Sequence, residues 1–147
     1  MEKKNNGWIS PSCICTDFAD GTEENTFNRL SILLENSGCV ADRNQVLKDI
    51  EEREERGSTQ LTPSIWIPHA KSSGVIKMCT AIGIIKHSKL CIMVSWPENN
   101  SQHLKRIAAL MDVLQNEKLV KNICSAENSD QAYSIISSHL CLFGMSC

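Results

Sequence analysis

The sequence predicts an α/β domain in which helices cover a central β-sheet. Three observations carry that prediction: amphipathic helical patterns at both ends, two near-continuous apolar runs between them, and turn residues separating these segments. The chain has 147 residues, the size of one ordinary domain, so a single domain over 1–147 is expected. No internal repeat, low-complexity stretch or linker divides it.

A first helix is expected to start at Thr22, whose hydroxyl can cap free N–H groups, with Glu23 and Glu24 at the positive end of the dipole. Phe27, Leu30, Leu33 and Leu34 then share a face, and Gly38 can end the helix. A second helix follows from Asp42 and Gln45, which form an N-cap pattern. Val46, Leu47 and Ile50 face inward, while Asp49 and Glu52 are spaced to pair with Arg53 and Arg56 before Gly57 stops the helix.

From Ser58 to Ala70 the chain reads as turn and strand, because Pro63 and Pro68 bracket the short apolar run Ile65-Trp66-Ile67. Met78 to Ile85 and Leu90 to Trp96 are two strand candidates, joined by Lys86-His87-Ser88-Lys89. Their apolar continuity predicts burial on both faces. The last third reads as helical. A helix starting at Asn100 or Ser101 carries Leu104, Ile107, Ala108, Met111 and Leu114 on one face. Asn116 caps a short helix with Leu119, Val120 and Ile123 inward. A final helix starts at Asn128, with Gln131 at the capping-box position and Ala132, Ile135, Ile136, His139 and Leu140 on its inner stripe.

Composition narrows the function. Hydrophobic residues at 41% and charged residues at 22% exclude a disordered or fibrous chain. A net charge of −2 without a basic block leaves no footprint for nucleic acid. No apolar segment of signal-peptide length follows Lys3 and Lys4, and no run approaches the roughly 20 residues of a spanning helix. A soluble, cytoplasmic protein without direct membrane insertion is therefore expected.

Eight cysteines would suit a disulfide framework in a secreted chain, but the spacing points elsewhere. Cys39, Cys79, Cys91, Cys124 and Cys141 sit in or beside apolar sequence, as small buried residues do in a reducing compartment. Cys13-Ile14-Cys15 is a lone C-x-C without a matching pair for zinc, and Cys147 is the thiol most open to cross-linking. No metal or cofactor is expected.

No Gly-rich phosphate loop, H-E-x-x-H, C-x-x-C or G-x-S-x-G is present, which leaves the histidines. His139 reads as a core or rim residue and His87 as solvated. His69 differs, since Pro68 fixes the chain before it and the Ile65-Trp66-Ile67 run delivers it at a strand end. His103 falls in the first turn of a helix, where the dipole and free N–H groups favour an anion such as phosphate.

The run Arg53-Glu54-Glu55-Arg56-Gly57-Ser58-Thr59, followed by Ile65-Trp66-Ile67-Pro68-His69-Ala70-Lys71, resembles the signature of the mannitol/fructose-type enzyme IIA domains of the bacterial phosphotransferase system. In that family R-E-x-x-G-S-T leads into I-P-H-[AG]-K, and the histidine takes a phosphoryl group from phospho-HPr. Asn99-Asn100-Ser101-Gln102-His103-Leu104 resembles the later H-L segment, where a second histidine flanks the first. The similarity runs from about Trp8 to Leu140 and leaves no room for a second large domain.

The resemblance implies a mixed central sheet flanked by helices. It makes His69 the phosphoryl acceptor and His103 a stabiliser of the phosphoryl group. Arg53 and Thr59 are further candidate phosphate donors, with Ser58 beside them. The alternatives on the residues alone are an Arg53–Asp49 helix pair and a purely turn-shaping role for Ser58 and Thr59. Departures from the family form are Gln60, Thr62 and Ser64 in place of glycines, Trp66 in place of a small residue, and a short Lys77–Leu90 segment that predicts a truncated strand pair. These bear on loop shape, and through it on transfer rate and partner choice.

No attached permease or enzyme IIB segment is expected. The R-E-x-x-G-S-T form resembles the nitrogen-regulatory branch, whose phosphorylation state controls partner proteins. A fructose or mannitol enzyme IIA that passes phosphate to an enzyme IIB is the second reading. A binding module without phosphoryl transfer is a third, and a cysteine-based redox or zinc protein a fourth.

Overall fold

The computed structural model describes residues 7–18 and 21–141. The readings made for residues 1–6 and for Cys147 lie outside the described residues.

A 3-10 turn at Pro11–Cys13 leads into β1 (Ile14–Phe18), which lies parallel to β5 (Cys79–Ile85). Sequence reading assigned no strand at β1, whose buried residues are only Ile14 and Phe18 at its ends. Two helices follow. In α1 (Glu23–Asn36) the Thr22 hydroxyl accepts from Asn25 N–H, and Phe27, Leu30 and Leu34 are fully buried. In α2 (Arg43–Glu55) the Asp42 carboxylate accepts from Gln45 N–H at 3.1 Å, and Val46 and Ile50 face the sheet. The expected Asp49–Arg53 and Glu52–Arg56 pairs do not form: Asp49 accepts from Gln45 Nε2, and Arg53 donates to Gly57 O at 2.9 Å. Arg53 is held at a carbonyl just past the end of α2, and a helix-surface ion pair would add little beside that bond.

Short β2 (Gln60–Thr62) and β3 (Ile65–Trp66) form a hairpin, followed by β4 (His69–Lys71). The polar residues that replace glycines brace this loop. Gln60 Nε2 donates to Thr62 O, Ser64 N–H donates to the Thr62 hydroxyl, and Ser64 O accepts from Leu90 N–H.

At the centre, β5 and β6 (Lys89–Trp96) pair antiparallel without a break from Cys79↔Ser95 to Ile85↔Lys89. The strand pair is therefore not truncated. Its brevity comes from a three-residue connection, Lys86 to Ser88, in which Lys86 and His87 take left-handed φ of 52° and 55°, the conformation of a tight hairpin. The sheet order is β1-β5-β6-β3-β2, with β4 added alongside β6 beyond β3. Both β3 and β4 run parallel to β6, and among the described residues β4 has no second partner strand.

Alternation on β6 separates two cores. Leu90, Ile92, Val94 and Trp96 meet one set of helices, while Cys91 and Met93 meet α1 and α2 through Phe27, Leu30, Val46 and Ile50. A side chain at Gly83 would place its Cβ 2.8 Å from Phe18 Cδ2, so this crossing of β5 admits only glycine.

The first set comprises α3 (His103–Val113), α4 (Glu117–Cys124) and α5 (Ser129–Cys141). Asn116 caps α4 through Leu119 N–H, and Asn128 bonds Gln131 N–H at the start of α5, as the sequence predicts. The α3 face is rotated from the expected one. Ile107, Leu110 and Val113 are buried, followed by Leu114, whereas Leu104 is 74% exposed and Ala108 is also outside. The apolar sequence of α3 extends beyond the face that packs on α5 and into the core, so periodicity alone placed the stripe off centre. Cys141 is exposed at the end of α5, against the expectation of burial, because it follows the last inward residue, Leu140.

Candidate functional site

Pro68 O accepts from Val94 N–H at 3.0 Å, and His69, Ala70 and Lys71 pair with Val94, Ser95 and Trp96. The buried Ser95 hydroxyl donates to Ala70 O at 2.8 Å. A central, fully buried strand thus fixes the three residues of β4. Ala70 turns into the core that holds α1 and α2, and His69 is half-buried at the surface.

The ring of His69 has one nitrogen engaged: Nδ1 lies 2.7 Å from Ile67 O. A carbonyl oxygen can only accept, so Nδ1 carries the proton and Nε2 of the neutral ring holds the lone pair. His69, Lys71 and Trp96 line a cavity of about 340 Å³ with Arg53, Arg56, Asp49 and Glu52 of α2. Three cations and two carboxylates give this cavity a net positive charge. Lys71 also reaches Glu98 at 3.5 Å, a pair open to solvent. Arg56, which sequence reading placed only in a helix pair, stands in the same wall as Arg53, one turn further along α2.

His103 approaches from α3. That helix starts at His103, two or three residues later than expected, with Gln102 at the cap position and no side-chain cap bond. Asn100 instead closes the preceding turn through Gln102 N–H at 2.8 Å. His103 Nδ1 lies 3.3 Å from Asn100 O, and its ring stacks on Trp96 with centroids 4.5 Å apart and planes 9° apart. Trp96 also lies 6.2 Å from the His69 ring at 23°. The indole is the common neighbour of both histidines.

Ser58 and Thr59 are engaged elsewhere. Ser58 Oγ accepts from Gln60 N–H, which shapes the turn. Thr59 is 6% exposed, and its hydroxyl donates to Glu54 Oε1 at 2.6 Å. Neither residue lines the cavity beside His69. Glu54 also accepts from Thr59 N–H and from Trp66 Nε1 at 3.1 Å, while the Trp66 ring packs against Phe27 at 5.1 Å. The large residue at position 66 thereby ties the loop to α2 from below.

The remaining histidines and thiols lie apart from this site. His87 is exposed with Nδ1 near Cys124 O, and His139 is half-buried with Nδ1 near Ile135 O. Cys13 Sγ donates to Leu33 O and Cys15 Sγ to Asp17, so the two thiols of the C-x-C meet different partners. Burial pushes the thiols of Cys13 and Cys124 up from the ordinary range. Among the described residues no cluster of three His, Cys, Asp or Glu side chains could hold a metal, and no helix is long and apolar enough to cross a membrane.

Residues 9–139 match the family model described as "Phosphoenolpyruvate-dependent sugar phosphotransferase system, EIIA 2". The fructose-specific EIIABC component of Bacillus subtilis is 30% identical over 80% of this chain, which spans 20% of that relative's length. The fructose-specific EIIA component of Haloferax volcanii is 29% identical over 79% of this chain and 83% of its own. Among solved structures, the nitrogen regulatory protein IIA-Ntr of Neisseria meningitidis superposes with a TM-score of 0.76 at 21% identity, over 88% of this chain and 96% of that one. IIA mannitol of Escherichia coli gives 0.74 at 18% identity, over 86% and 97%. These two share the fold, a mixed sheet with helices on both faces. Proteins of the matched family are phosphotransferase components that use a phosphohistidine intermediate. With nearly its whole length inside that match, the chain belongs to the EIIA 2 family of the phosphoenolpyruvate-dependent sugar phosphotransferase system, the enzyme IIA domains of mannitol/fructose type.

Proposed function

We propose that the protein is a phosphoryl carrier in which His69 Nε2 accepts the phosphoryl group of phospho-HPr and passes it onward. The observation that carries this reading is the 2.7 Å bond from His69 Nδ1–H to Ile67 O, which leaves Nε2 as the nucleophile at a cationic cavity. The Nε2 lone pair attacks phosphorus in line, the new P–N bond forms as the donor's P–N bond breaks, and the donor nitrogen recovers its electron pair. No proton need move, because Nδ1–H stays on Ile67 O. The phosphorylated ring then bears a positive charge beside a group of about two negative charges, which keeps the P–N bond ready for the next transfer.

Arg53 and Arg56 supply charge-assisted donors to the phosphoryl oxygens. His103 donates through Nε2 when doubly protonated, since its Nδ1 proton is directed to Asn100 O. Thr59 acts one step removed by holding Glu54 and the loop.

For the onward step, the names of the two sequence relatives favour a fructose-specific enzyme IIA that delivers to an enzyme IIB. A solved complex of enzyme IIA mannitol with phosphorylated enzyme IIB mannitol, at a TM-score of 0.74 and 17% identity, shares this fold. The R-E-x-x-G-S-T form favours the second reading, a nitrogen-type regulator whose partners respond to its phosphorylation. Incubation with enzyme I, HPr and labelled phosphoenolpyruvate should place acid-labile label on the wild type and none on His69→Ala. Chase of that label to a fructose-type enzyme IIB supports uptake, and its retention supports regulation. An unlabelled wild type beside labelled HPr overturns the carrier reading.

A further inference from the structure

One indole lies beside both imidazoles. Trp96 ends β6, is 8% exposed and occupies a position fixed from the backbone outward. Its residue pairs with Lys71 of β4, and its carbonyl accepts from Ser72 N–H at 2.9 Å. The main chain of Trp96 is thus tied to the strand that carries His69, while its ring stacks on His103 at 4.5 Å and 9°.

His103 has little else to define its plane. The bond from Nδ1 to Asn100 O is long at 3.3 Å, and Gln102 makes no side-chain cap to stiffen the first turn. No hydrogen bond joins His103 to His69 among the described residues. A parallel indole face restricts the imidazole to one plane. It also attracts the doubly protonated ring through its quadrupole.

We propose that Trp96 is a positioning residue for phosphoryl transfer, its indole being the platform that sets the plane of His103 relative to His69. This rests on the carrier reading of His69. The group that gains is the transition state, in which the transferring phosphoryl lies between donor and acceptor and needs a donor already in place. Ground-state docking of phospho-HPr gains nothing from the stack.

The test compares Trp96→Leu, which removes the aromatic face, with Trp96→Phe, which keeps one, in rapid-quench phosphorylation by phospho-HPr. Trp96→Leu should lower kcat at least tenfold with KM within twofold, and Trp96→Phe should recover most of the loss. His103→Gln should cost a similar factor, and adding Trp96→Leu to it should cost little more, because the two act as one unit. The 15N shifts of the His103 ring should respond to phosphorylation in the wild type and in Trp96→Phe but not in Trp96→Leu. Equal impairment of Leu and Phe variants, additive losses with His103→Gln, or an unimpaired Trp96→Leu would each reduce Trp96 to packing and overturn the proposal. If Trp96→Leu fails to fold, Trp96→Met, which keeps more of the volume without an aromatic face, takes its place with the same expected and overturning results. A wild type that takes no label removes the carrier reading and this role with it, whereas a labelled wild type with a normal Trp96→Leu removes only the latter.

Discussion

The Thr59 hydroxyl donates to Glu54 Oε1 at 2.6 Å, a bond across the junction where α2 gives way to the loop that carries His69. Together with Thr59 N–H and Trp66 Nε1 it makes Glu54 the acceptor of three hydrogen bonds. The carboxylate is thus a structural hub within a motif whose two arginines line the cavity.

Glu54→Ala should leave these donors without an acceptor in a half-buried place, at a cost of about 2–4 kcal/mol from one buried charged acceptor and its unpaired neighbours. Urea denaturation checks this. Phosphoryl uptake by the surviving folded fraction should remain measurable, since no atom of Glu54 lines the His69 cavity.

Phosphorylation should fall on Nε2 of His69. Two-dimensional 15N spectra of the labelled protein should show phosphorus coupling at Nε2 while Nδ1 keeps its proton. Coupling at Nδ1 would require the 2.7 Å bond to Ile67 O to break and would contradict the attack geometry.

Arg53→Ala and Arg56→Ala should each slow transfer from phospho-HPr about tenfold or more, the worth of a charge-assisted hydrogen bond of about 1.5–3 kcal/mol. Arg53→Ala should also loosen the end of α2 by losing its bond to Gly57 O, whereas Arg56→Ala should leave stability unchanged. Paired quench kinetics and thermal melts separate the two effects. Equal rates for both variants and the wild type would remove the arginines from the phosphate site.

Thiol reactivity should follow burial and pairing. In a Cys147→Ser background, Cys141 should react first with an aromatic disulfide reagent at neutral pH, since it is exposed. Cys39 should follow, because the Cys79 thiol beside it draws its own down to about 6, although it is only 8% exposed. Cys13, Cys91 and Cys124, pushed up by burial, should react only on unfolding. The Cys39 thiolate contributes stability in full above the unfolded value of 9.0 and loses it as pH falls through about 6.

Local signals in the sequence were legible where a single turn of chain decides the outcome. Thr22, Asp42, Asn116 and Asn128 each bond the N–H three residues on, so four helix starts could be read from capping chemistry. Features set by distant partners were not legible. β1 exists because Ile14 and Cys15 meet Ile82 and Gly83 of β5, and its own residues carry no strand pattern. The face of α3 was misjudged because Leu104 is apolar yet exposed. At the candidate site, His69, His103 and Arg53 stand out from their motifs, and the cavity unites His69 with Arg53 but does not include His103. Arg56 was missed because its spacing fits an ordinary ion pair, and Trp96 because a strand-end aromatic reads as core.

The uncovered side of β4 bears on how the molecule avoids its own copies. β4 has no partner strand on its far side among the described residues, and such a sheet border is a template on which another chain could add. The Lys71 ammonium at the exit of that border repels an identical strand. Replacing Lys71 with an apolar β-former such as Val should make this border adhesive, read as a rise in apparent mass in solution.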